Sequence, residues 1–123
     1  MFSFRKALGL AVLLSVAACG TTIDYMPINA PPRAMAPRAP ESVEIFTDAR
    51  PEKPFVDVGI LEAQQQSSAS QDNAATVLQK LRQAAADRGC DAVVLDGSND
   101  KVVGDRTGTT TLKGYRATCI VYR

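Results

Sequence analysis

All seven prolines of the chain fall between Pro27 and Pro54, and none follows. Proline fixes φ and has no amide hydrogen to give, so the stretch from Thr21 to about Glu41 is excluded from a helix or an inner strand. The expectation there is an extended spacer leaning to polyproline II. At about 3.1 Å per residue, Asp24 to Glu41 reaches roughly 55 Å, against roughly 40–45 Å for a whole bilayer. Arg33 and Arg38 lie inside it. They read as solvated charges on a disordered strap, or as contacts to anionic lipid head groups or a barrel lumen. Regular structure is left to the sequence after residue 42.

Before the spacer, Arg5 and Lys6 precede a run from Ala7 to Ala18 that is almost wholly apolar and closes on small residues. This is the layout of a secretory signal. A run of about twelve residues falls short of the roughly twenty that a helix needs to span a bilayer, so residues 1–18 are expected to be removed. Val16-Ala17-Ala18-Cys19 resembles the lipobox of bacterial lipoproteins, with Val where Leu is commoner. The resemblance implies lipidation of Cys19 and cleavage before it. The alternative is a plain signal peptide with an incidental cysteine. Two or three acyl chains, at about 0.8 kcal/mol per buried CH₂, make a firm anchor. Gly20 is not the Asp that resembles an inner-membrane retention signal, so the expected address is the outer membrane, facing the periplasm.

The domain layout expected is therefore a signal peptide over 1–18, a lipidated, proline-rich disordered tether over 19–42, and a small periplasmic domain over 43–123. Val43–Thr47 and Phe55–Glu62 alternate like strands. Gln64–Ser68 is polar and without period, hence loop. Ser70 or Asp72 is placed to cap a helix running to about Arg88. Its stripe is Ala74, Val77, Leu78, Leu81, Ala84, Ala85 and Arg88, at spacings of three and four, and Gly89 follows as a left-handed C-cap. Asp91–Leu95 and Gly114–Tyr122 read as two more strands, separated by a Gly/Thr-rich excursion over 101–112 with a hairpin around Asp105–Gly108. The fold class is α+β: a small β-β-α-β-β domain with one helix packed on a mainly antiparallel sheet.

With Cys19 lipidated, Cys90 and Cys119 are the remaining thiols, in an oxidising compartment. An even pair in a small exported domain is most simply a disulfide, the alternative being two buried free thiols. A bridge closing about thirty residues is worth on the order of 3–4 kcal/mol.

The chemistry inventory is spare. The chain has no histidine, the commonest general base and metal ligand. Ser67, Ser68 and Ser70 have no evident base beside them. Asp96–Asp100 begins like a calcium loop, but Lys101 stands in place of the turn glycine and Thr107 in place of the bidentate Glu, so the stretch reads as a turn. No catalytic residue, metal site, cofactor or small-molecule substrate is expected. The sequence has 14 basic and 13 acidic side chains, and loss of Arg5 and Lys6 leaves 12 against 13, a net of −1. No nucleic-acid partner is expected from such a balance.

The run Ala84-Ala85-Ala86-Asp87-Arg88-Gly89-Cys90-Asp91-Ala92-Val93-Val94-Leu95, with Ala117-Thr118-Cys119-Ile120, resembles the C-terminal domain of the RcsF family of envelope-stress sensor lipoproteins. The likeness extends over residues 43–123. It implies a disulfide-stapled α/β domain on a disordered linker, displayed by outer-membrane barrels and signalling stress. The family has four domain cysteines and this chain two, so one bridge at most carries over, Cys90 to Cys119.

The functional expectation is a non-enzymatic lipoprotein, held to the membrane by its anchor, whose domain binds an envelope partner such as an outer-membrane barrel and senses stress. The alternatives are a structural or assembly-accessory lipoprotein and, least favoured, an enzyme or metal-binding protein. If the helix covers Ala92, Val94, Ala117 and Val121, an apolar partner surface of Val93, Leu95, Ile120 and Tyr122 is left uncovered, unless loop 101–112 folds over it.

Overall fold

The computed structural model describes residues 20–67 and 71–123. The expected signal peptide and Cys19 lie outside the described residues. Among the described residues seven strands and one α-helix follow in the order β1 (Thr21–Pro27), β2 (Glu44–Phe46), β3 (Phe55–Gln65), α1 (Ala74–Arg88), β4 (Ala92–Ser98), β5 (Lys101–Asp105), β6 (Gly108–Leu112) and β7 (Gly114–Tyr122), with a 3₁₀ turn at Pro40–Ser42. Five strands form one sheet in the order β1-β3-β7-β4-β2, and β5 pairs with β6 apart from it. All pairings are antiparallel except β2 with β4. The fold is α+β, with α1 on one face of a mainly antiparallel sheet.

The helix starts and stops where local chemistry dictates. Asn73, one residue past the expected Asp72, is the N-cap, its Oδ1 accepting from the Thr76 amide at 2.8 Å, and Ser70 lies outside the described residues. At the other end Gly89 takes φ +84°. Its amide reaches the Ala86 carbonyl at 3.1 Å, and the Cys90 amide reaches that of Ala85 at 3.0 Å. Those two bonds are a Schellman closure, which needs a left-handed residue. Val77, Leu81, Ala85 and Ala86 are the buried face. They meet Val58, Leu61, Ala63, Val93, Ala117 and Val121 from the sheet. Inside this core Cys90 and Cys119 form a disulfide, with Cα atoms 5.6 Å apart and both residues fully buried.

The spacer expected over residues 19–42 is corrected from Gly20 onward. Thr21–Pro27 pairs along its length with β3, from Thr21 opposite Gln65 to Pro27 opposite Gly59. Ile23 and Tyr25 lean on the helix-side core, and Tyr25 stands directly over Gly59, where a Cβ would come within 2.3 Å of its ring. The proline argument holds from Pro27, but residues 21–26 contain no proline and alternate like a strand. β1 lies at the sheet edge, the position where a terminal proline is tolerated.

Residues 28–42 then cross to the helix C-terminus. The Ile28 amide donates to Val58 O and the Arg38 amide to Ala86 O, both at 3.0 Å, and Met35 packs on the core. This crossing covers Ala86, which is why that residue is buried outside the expected stripe.

The loop expected at Gln64–Ser68 also begins later. β3 runs on through Gln65, whose buried side-chain amide closes a two-way pair with the Asp72 backbone at 3.1 and 3.2 Å.

Candidate functional site

The expected partner surface is not one surface. Val93 lies opposite Cys119 and Leu95 opposite Ala117, so both face α1, and Val93 is 1% exposed. Ile120 and Tyr122 face the other way, with Ala92 and Val94. The expectation placed Ala92 and Val94 under the helix, one residue out of phase along β4. In a strand that shift exchanges the two faces.

The outer face is not open either: residues 47–54 lie against it. Arg50 reaches Asp57 at 3.6 Å and Asp96 at 3.9 Å, and its guanidinium lies 5.7 Å from the centre of the Phe55 ring. Lys53 Nζ sits 4.1 Å from the centre of the Tyr122 ring. Beneath them Ile120 is fully buried. The Tyr122 hydroxyl donates to Glu44 at 3.3 Å. Burial chiefly, with the Glu44 charge, raises its pKa above the usual tyrosine range.

Two carboxylates organise the polar structure. Asp91 accepts from Arg33 and Arg38 on one oxygen and from the Tyr122 amide, at 2.8 Å, on the other. Burial pushes its pKa up, but that amide and the guanidiniums outweigh it, leaving it below the ordinary carboxylate value. Arg33 and Arg38 are therefore docked on the domain, where the sequence suggested solvated charges or lipid contacts.

Asp72 accepts from Lys80 at 2.7 Å and from the Thr21 hydroxyl and amide at 2.8 and 3.2 Å. The Lys80 bond, then that of Thr21, lowers its pKa. Both carboxylates are held by a cation and a backbone amide, which suits clamps.

Asp96 accepts the Thr118 hydroxyl at 2.6 Å and Asp100 the Gly114 amide at 3.1 Å, so the stretch read as a turn ties β4 to β7. A cleft of about 320 Å³ opens where the crossing segment meets the helix end, between Tyr25, Asn29, Met35 and Arg88. The Arg88 guanidinium stacks 4.5 Å from the centre of the Tyr25 ring there. Among the described residues no three His, Cys, Asp or Glu side chains are grouped to hold a metal. No described helix is long and apolar enough to cross a membrane.

No family model and no curated protein matches the chain. Among solved structures it is similar to the Francisella virulence factor FvfA, with 15% identity, 78% of this chain and 96% of that chain covered, and a TM-score of 0.45.

Proposed function

We propose that the protein is a non-enzymatic lipoprotein of the outer membrane, acylated at Cys19, whose periplasmic domain binds another component of the envelope. The observation that carries the reading is the apolar run ending in Val16-Ala17-Ala18-Cys19. The disulfide between Cys90 and Cys119 suits an oxidising compartment. Radiolabelled palmitate should enter the protein, and Cys19→Ser should release it from membranes. Failure of both overturns the anchor.

Envelope-stress sensing of the RcsF kind is the sharper form. The structural or assembly-accessory form gains from one observation, the pairing of β1 with β3 immediately after Gly20, which removes the leash that display at a distance requires. Photo-crosslinking from Met26, 52% exposed, in intact cells should capture an envelope protein, and recovery of none counts against a binding role. Deletion separates the two forms: loss of a brace changes envelope permeability, whereas loss of a sensor changes only a stress response.

A further inference from the structure

Gly20 follows Cys19 in the chain, so their Cα atoms are about 3.8 Å apart across a trans peptide. Gly20 is itself part of the folded body. It is buried, and its carbonyl accepts the Gln66 amide at 3.0 Å. The Asp72 carboxylate and Lys80 ammonium stand 3.2 Å from where its Cβ would be.

The same end of the sheet carries the β5–β6 hairpin. Thr22 lies opposite Gln64 and Gln64 opposite Gly114. One row nearer the end, the Gln65 amide donates to the carbonyl of Lys113, the residue that leaves β6, at 3.0 Å. β5 and β6 pair with each other and not with the main sheet. A lone two-stranded ribbon has little stability of its own in water. Its first strand holds Val102, 67% exposed, against 52% for Met26 and 43% for Ile28. Lys101, Arg106 and Lys113 are exposed around it, and such cations suit an anionic head-group layer.

From this juxtaposition, and resting on the reading of Cys19 as acylated, we propose that the β5–β6 hairpin is a membrane-contact element that seats Val102 in the lipid head-group layer beside the anchor. The domain then stands end-on against the bilayer, with Asp91 and Tyr122 at its far end.

The chain has no tryptophan, so Val102→Trp is a unique reporter. Glu52→Trp, in the cleft beside Glu44 and Tyr122, is the distal control. Each processed, full-length protein is reconstituted into phosphatidylethanolamine–phosphatidylglycerol vesicles. In the Val102→Trp protein, emission should shift to the blue, be quenched by lipids with brominated chains and be shielded from acrylamide. In the Glu52→Trp protein it should stay red and open to acrylamide. Because tryptophan favours interfaces by itself, amide exchange over 101–112 is read in the unsubstituted protein too. It should be slower on vesicles than in the Cys19→Ser protein in solution. Acylated protein with matching emission at the two positions, or with unchanged hairpin exchange, overturns the inference and leaves the anchor standing. Intact mass without acyl chains overturns the reading of Cys19 and the inference together.

Discussion

Thr21 gives both its amide and its hydroxyl to a single carboxylate oxygen of Asp72, at 3.2 and 2.8 Å, across 51 positions of sequence. Lys80 occupies the same oxygen at 2.7 Å. The contact fixes the start of β1 to the turn that opens α1. Asp72→Ala should therefore speed hydrogen exchange of the β1 amides while leaving those of β7 protected. Uniform loss of protection would mean that β1 and the sheet centre open as one unit.

Acid should reach the two clamps before the core. Asp72 and Asp91 both lie below their ordinary value of 3.8. A carboxylate lowered by folding contributes stability above its unfolded pKa and loses it as pH falls through the folded value. Both clamps are thus intact at neutral pH and weaken below about pH 3.8, the ordinary value. Exchange measured across that range should show β1 and residues 28–42 loosening ahead of β4 and β7.

Gly89 is constrained twice. Its φ of +84° is left-handed, and an added Cβ would meet Ala36 O at 2.7 Å. Gly89→Ala should cost at least the roughly 1–2 kcal/mol of placing an L-residue there, plus displacement of the crossing segment. Gly104→Ala, where a Cβ meets atoms no nearer than 3.7 Å, is the control and should leave the melting temperature nearly unchanged. Equal losses would remove the backbone explanation.

The disulfide closes a sequence separation of 29. The Cys90→Ser, Cys119→Ser double variant should lose about 3–4 kcal/mol in denaturant unfolding by the loop-entropy estimate. Intact mass of the unreduced protein should show neither thiol open to alkylation.

Arg50 holds the loop over the outer face from a half-exposed position, so each of its two long ion pairs is worth little. Arg50→Ala should cost only about 1 kcal/mol. It should still raise binding of a hydrophobic dye, because Val94 and Ile120 lie under that loop. An unchanged dye signal would show that Lys53 and the prolines keep the cover shut without it.

Much of this architecture is legible in the residues themselves. The 3.6-residue stripe from Val77 to Ala85 and the glycine after Arg88 define α1, and alternation from Gly114 to Tyr122 defines β7. What fails to show is decided by partners distant in sequence. β4 is apolar on both faces at Ala92–Val94, so its phase cannot come from pattern. It comes from Val93 lying opposite Cys119. β1 is hidden because its strand-like residues end at Pro27 and lead into a proline-rich stretch, while its partner β3 lies far downstream. The outer-face cover is hidden for a related reason: a loop with two prolines reads as a turn, and only its cation–ring and ion-pair contacts show that it folds back. Of the four residues expected to form a partner surface, the exposed ones turn out to be none. Among the described residues the large apolar side chains left open are Met26, Ile28 and Val102.

The central position of β7 has a consequence for biogenesis. Synthesised from its amino end, the polypeptide delivers β1 and β3 as one half-sheet and β2 with β4 as another, and the strand that joins them arrives last, between residues 114 and 122. Until it arrives neither half has its neighbour and Cys90 has no mate. Closure of the disulfide must therefore wait for the last strand, and a product truncated before residue 114 should be cleared by proteases.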